Sequence, residues 1–150
     1  MPEVELHVCG TIAAKLPPTP AGITVRGVVP SLREEYAAAR LVVDPVPWGT
    51  GLSVKVVEGL CHGRPVVACR PAGAGEELSA VLVRPDPADF AASVQRLLVD
   101  RPLWERLAAT AAADAARVFS REAAFGPLLA RLEALVSARR AHPRHGGSIA

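Results

Sequence analysis

The stretch GTGLSVKVVEGLCHG, residues 49–63, concentrates the side chains of this sequence that could hold an anion and a sugar. Gly49 and Gly51 permit positive φ and close approach of a ligand to backbone. They precede a segment of helical periodicity, whose first N–H groups are unpaired and carry the positive end of the helix dipole. That is a cradle for a phosphate or pyrophosphate. Thr50 and Ser53 add hydroxyls, and Leu52 stands between them. Lys55 and Glu58 are three apart and share one helix face. The Glu58 carboxylate can accept two hydrogen bonds from a ribose diol, while Lys55 can orient it or touch phosphate.

Two familiar phosphate motifs fail here. GxxxxGK[ST] is absent, and GTGLSV lacks the third glycine of GxGxxG. Arg70 and Pro71 stand about 20 positions on, where a dinucleotide fold places its ribose-binding acid. His62 beside Cys61 makes no nucleophile pair, because adjacent helical residues point apart. Taken alone, the two glycines also fit an ordinary turn before a helix, and Glu58 also fits a solvated residue paired with Lys55.

The surrounding elements decide what positions these groups. Val4–Gly10 alternates apolar and polar residues and predicts a strand. A proline-rich loop, KLPPTPAG, leads to a second strand over Ile23–Val29. Ser31 with Glu34 forms a capping box for a short helix with Tyr36 and Ala37 on its buried side. Leu41–Pro45 is a continuous apolar run, the pattern of a strand buried on both faces of a parallel sheet. Val56, Val57, Leu60 and Cys61 form the apolar stripe of the next helix, Lys55, Glu58 and His62 its polar face, and Gly63 its end. RPVVAC and AVLVRP read as two further strands. Asp86–Pro87, Asp100–Pro102 and Ser120 then announce three helices. Pro127 is expected to kink or break the last one. Its stripe, Leu128, Leu129, Leu132, Leu135 and Val136, reads first as core, and as an exposed sticky face if a neighbouring domain is missing.

The order β, β, α, β, α, β, β, then three helices gives an α/β fold: a Rossmann-like parallel sheet with helices on both faces. The chain has 150 residues, enough to bury roughly two-thirds of its unfolded surface. Half of the residues are hydrophobic and 4% aromatic, so Ala, Val and Leu build the core. A net charge of +2 is too small to argue for nucleic acid as partner. Cys9, Cys61 and Cys69 show no CxxC spacing, which points to a reducing cytoplasm and to no metal site. His7, Cys9 and Cys69 read as structural residues on or beside strands. The N-terminus lacks a signal-peptide pattern, and no apolar run is long enough for a membrane span. Arg139, Arg140 and Arg144 mark a basic tail, expected to be frayed and at most in weak contact with anionic lipid.

The segment GTGLSVKVVEGLCHGRPVVAC resembles the donor-binding segment of retaining glycosyltransferases of the GT-B fold, family 4 or group 1. Their pattern is approximately G-x-G-x-x-x-K-x-x-E-A-x-x-x-G-x-P-V-V, matched by Gly51, Lys55, Glu58, Gly63, Pro65, Val66 and Val67. PEVELHVCG, VRGVVPSLREEYAAARLVVDP and VRPDPADFAASVQRLLVDRPLWERLAATA are similar to further segments of the family in the same order, to about residue 136.

The resemblance implies a C-terminal half of the GT-B fold at 1–137, incomplete at its N-terminus, with a tail at 138–150. By the same resemblance, the acceptor domain and the first strand, with its phosphate-gripping Arg and Lys, are expected to lie outside this sequence. It implies a nucleotide-sugar as co-substrate, no cofactor, and sugar transfer to an acceptor hydroxyl with retention once an acceptor domain or subunit completes the site. Glu58 is expected to bind ribose. The N–H groups of Gly51, Leu52 and Ser53 are expected to face the diphosphate, and Val29 to lie near the base. Many members carry a glutamate eight positions before the ribose glutamate; here that position is Thr50. The competing readings are a non-catalytic interaction module or truncated remnant, and an unrelated nucleotide hydrolase.

Overall fold

The computed structural model describes residues 4–73 and 78–141. The strands are Leu6–Cys9 (β1), Ile23–Gly27 (β2), Val42–Asp44 (β3), Val66–Ala68 (β4) and Val81–Val83 (β5). The α-helices are Leu32–Ala38 (α1), Val54–Cys61 (α2), Pro87–Val99 (α3), Arg101–Phe119 (α4) and Arg121–Ala141 (α5). Their order is the expected one, with a short 3-10 helix at Thr11–Lys15 entering the proline-rich loop.

All pairings are parallel, but they form two sheets, β1-β2 and β3-β4-β5. A hydropathy pattern announces strands one at a time and carries no record of which strands pair. Each of β1 and β3 is therefore bonded to a single described neighbour.

The three-stranded sheet carries the core on both faces. Val66 and Ala68 point to one side and pack with Val56 and Leu60 of α2 and Ala111 and Ala115 of α4. Val67 points to the other side and packs with Leu97 of α3 and Leu107 of α4. This alternation is the period-2 geometry of a strand with helices above and below. β4 is fully buried, whereas β3 and β5 are half-buried apart from Asp44, short of the burial expected for the run over 41–45.

Local signals set the helix ends. Ser31 Oγ accepts from the Arg33 N–H, Asp86 caps α3 through the N–H groups of Ala88 and Asp89, and Asp100 caps α4 through Leu103. The Ser120 hydroxyl accepts from the Ala123 N–H. At the end of α2, Gly63 takes φ +65°; its N–H bonds the Leu60 carbonyl and the Arg64 N–H bonds that of Gly59, a Schellman closure.

Four expectations need correction. Ala37 is exposed, and of the pair Tyr36 alone is half-buried. Cys61 is exposed too, because the short helix turns Gly59 rather than Cys61 against the sheet. The chain stays helical through Pro127. The residue before a proline resists the helical conformation through its Cβ, and Gly126 has none. The apolar stripe of α5 is not core: Leu128, Leu129, Leu132, Leu135 and Val136 are each about half exposed. α5 packs chiefly on α4, and this face stays exposed among the described residues. The basic tail beyond Ala141, with Arg144, lies outside the described residues, as does the side chain of Arg140; Arg139 is exposed.

Candidate functional site

The glycine loop leaves the C-terminal end of β3 and runs into α2, the position at which parallel α/β sheets bind ligands. Gly49 and Gly51 both have positive φ, 143° and 79°. The loop is stapled from the side by the turn after β4: the Ser53 N–H donates to the Ala72 carbonyl at 2.9 Å. Gly73 approaches so closely that a Cβ there would stand 2.4 Å from the Gly51 carbonyl oxygen. Two backbones are in contact, and only glycine allows it.

Ser53 is the N-cap residue of α2, yet its side chain does not cap the helix. The hydroxyl instead donates to Asp44 Oδ2 at 2.6 Å. No described group accepts from the N–H of Gly51, Leu52, Val54 or Lys55. The helix therefore starts with bare donors, which favours an anion there.

Asp44 was not among the residues that sequence reasoning picked out. It is the last residue of β3 and only 1% exposed. A buried carboxylate is costly without partners. Its partners are the Ser53 hydroxyl and the Lys55 ammonium, which stands 3.2 Å from Oδ1 without the alignment of a well-directed hydrogen bond. Lys55 is thus turned toward Asp44 and does not pair with Glu58. The one available signal was a charged residue inside an apolar strand.

Glu58 is held from another element. The Tyr36 hydroxyl, on α1, donates to Glu58 Oε2 at 2.9 Å. Tyr36 stacks on the His62 ring, centroids 4.9 Å apart, so both members of the face Glu58–His62 are gripped by one aromatic side chain. Burial, and then the Glu58 carboxylate, push the Tyr36 phenol well above its ordinary pKa, so it stays a donor. No described donor reaches Glu58 Oε1. The carboxylate is oriented through one oxygen and can accept hydroxyls through the other.

The stretch from Gly49 to Glu58, with Thr50, Leu52, Ser53 and Lys55, is one contiguous loop and helix. Val29 comes from a different place, the loop between β2 and α1, where it is half-buried. The N–H of Ser53 is already spent on Ala72, which leaves Gly51 and Leu52 as the outward loop donors. The Cys61 thiol, exposed as a residue but partly desolvated by its surroundings, is raised by that desolvation first and then by Glu58, which makes it a poor nucleophile, and His62 is engaged by Tyr36. Among the described residues, no group of three or more His, Cys, Asp or Glu side chains is placed to hold a metal ion. No helix of the described residues is long and apolar enough to cross a membrane.

A family model described as "Glycosyl transferases group 1" matches residues 1–100. The chain belongs to this family. The match spans all five strands of both sheets, the glycine loop and α1 to α3, and ends just after α3. No curated protein matches the chain. For a group 1 glycosyl transferase, the features just described are a loop with free donors, an uncapped helix start and an oriented carboxylate, all inside the matched region.

Proposed function

We propose that this chain is the donor-binding portion of a retaining group 1 glycosyl transferase that takes a nucleotide-sugar. The observation that carries the reading is Glu58: its carboxylate is fixed by Tyr36 through Oε2 and left open at Oε1, about one turn beyond the bare start of α2. Glu58 holds the ribose diol. Gly51 and Leu52 present N–H groups to the diphosphate, assisted by the start of α2. The Thr50 hydroxyl meets the donor sugar, and Val29 lies toward the base.

The acceptor comes from elsewhere, either a further domain or a separate subunit of a GT-B enzyme. The sheet topology supports such a completion. In a doubly wound sheet, strands are laid down in two directions from a central strand. The pairs β1-β2 and β3-β4-β5 are compatible with two such runs, and among the described residues β1 and β3 each pair on one side alone. The exposed face of α5 favours a second reading, a non-catalytic module that docks through Leu128, Leu132 and Leu135.

Thermal melts in millimolar UDP-, GDP- and ADP-sugars separate the two. A ligand at ten times its dissociation constant adds about 1.4 kcal/mol of stability. The donor reading expects one nucleotide to raise the melting temperature and Glu58→Ala to abolish the rise. A cooperative melt that none of them moves supports the docking module.

A further inference from the structure

We propose that Arg70 is a phosphate-binding residue of this site, gripping the nucleotide's diphosphate where sequence spacing had pointed to Lys55. The proposal rests on the donor reading above.

The first observation is that Lys55 is not free for the task. Its ammonium is drawn to the buried Asp44 carboxylate, and withdrawing it would leave that carboxylate with the Ser53 hydroxyl alone. A cation already neutralised by a buried partner adds little net charge to the loop.

The second observation is where Arg70 lies. It follows β4 by two residues, and β4 is the neighbour of β3 with Ala68 in register with Asp44. The Cys69 N–H donates to the Asp44 carbonyl, so the chain entering Arg70 is bonded to the end of the strand that launches the glycine loop. The guanidinium lies along the first glycine of that loop. A Cβ at Gly49 would meet Nη2 at 3.2 Å, Cζ at 3.6 Å and Nε at 3.6 Å. The Nε–Cζ–Nη2 side of the guanidinium is therefore packed against Gly49.

The third observation is the state of its donors. Nη1 donates to the carbonyl of the adjacent Pro71 at 3.2 Å. Nε is buried and has no hydrogen-bond partner among the described residues. No carboxylate among the described residues pairs with this guanidinium. An arginine packed beside a loop of free N–H groups, with donors unspent, matches the bidentate recognition of phosphate. The same contact gives Gly49 a second role, since a side chain there would push the guanidinium off the loop.

The test is calorimetric titration of the full chain with UDP, GDP and ADP and with the matching nucleosides. Wild type is compared with Arg70→Gln, Arg70→Lys, Glu58→Ala and, as a surface control, Arg33→Gln. Melting curves verify that each variant folds. For the diphosphate that binds, Arg70→Gln should weaken affinity by about tenfold or more, the scale of a lost charge-assisted contact. Affinity for the nucleoside should stay unchanged, and Arg70→Lys should recover part of the loss. Glu58→Ala should weaken nucleoside and diphosphate alike. Binding that needs Glu58 but is indifferent to Arg70→Gln overturns the proposal and leaves the donor reading standing. Equal weakening of nucleoside and diphosphate in Arg70→Gln also overturns it, because the residue would then only shape the loop. No binding of any nucleotide by folded wild type removes the donor reading, and this proposal with it.

Discussion

The Tyr36 hydroxyl donates to Glu58 Oε2 across 2.9 Å, joining α1 to the carboxylate face of α2. Twenty-two residues separate the two in sequence, and they tie the two-stranded sheet's following helix to the helix of the glycine loop. Tyr36→Phe keeps the ring stacked on His62 and removes only the hydroxyl. The expected outcome is a small stability loss, about 1 kcal/mol for one hydrogen bond to a charged group that water can partly replace. Nucleotide affinity should fall as well, because the carboxylate is freed to rotate. Melting and titration of the same variant check both, and unchanged affinity would mean that Glu58 needs no positioning.

Gly73→Ala should damage the glycine loop from outside it. The residue has φ +78°, which costs an alanine about 1–2 kcal/mol. The new Cβ would also sit 2.4 Å from the Gly51 carbonyl oxygen, so one of the two backbones must move. Stability should drop by at least the conformational cost, and nucleotide binding should drop with it. Retained binding in a destabilised protein would show that the loop tolerates the shift.

Gly59→Ala tests how tightly α2 sits on the sheet. Helix propensity alone favours alanine by about 1 kcal/mol. The added Cβ, however, would lie 3.1 Å and 3.3 Å from Val42 side-chain atoms and 3.2 Å from one of Val66. Both valines are β-branched and fixed on strands, so they have little room to yield. Overpacking of this kind costs about 1–3 kcal/mol and should win. A denaturant melt should show net destabilisation; a gain in stability would mean that α2 can lift from the sheet at no cost.

The two-stranded sheet carries its own pH dependence. The His7 imidazole lies between two carboxylates, 2.8 Å from Glu35 and 3.3 Å from Glu5, and Arg26 binds the other oxygen of Glu35. Thr24 donates to Glu5. The Glu35 hydrogen bond, followed by that to Glu5, raises the His7 pKa above 6.5. Both carboxyls are held below 4.5, Glu35 chiefly by His7 and Glu5 chiefly by Thr24. A raised histidine stabilises the fold fully below its unfolded pKa and loses that contribution as pH climbs through the folded value. The depressed carboxyls contribute above 4.5 and lose it as pH falls through their folded values. The cluster therefore stabilises most between about pH 4.5 and 6.5. Going from pH 6 to pH 8, wild type should lose more melting temperature than His7→Gln, and equal losses would count against the cluster.

Much of this was legible before any coordinates. The caps at Ser31, Asp86, Asp100 and Ser120 and the terminal Gly63 announce themselves because each works through neighbours in sequence. The glycine loop and Glu58 were legible for the same reason. Asp44, Tyr36 and Arg70 were not singled out for the site, because what matters in each is a partner far along the chain or on another strand. The split of the strands into two sheets was hidden likewise, since pairing is a long-range fact. Lys55 misled because three-residue spacing makes Glu58 its nearest charge on the helix, while the buried Asp44 beneath it exerts the stronger pull.

The central claim is that Glu58 holds the ribose of a nucleotide, and the most direct test compares ribose with deoxyribose. The nucleoside diphosphate that binds is titrated into wild type and Glu58→Ala beside its 2′-deoxy counterpart. Wild type should prefer the ribose form by about tenfold, the scale of one hydroxyl donated to a charged carboxylate. Glu58→Ala should bind the two forms alike. Equal affinity for both forms in wild type, or a preference that survives Glu58→Ala, would contradict the account.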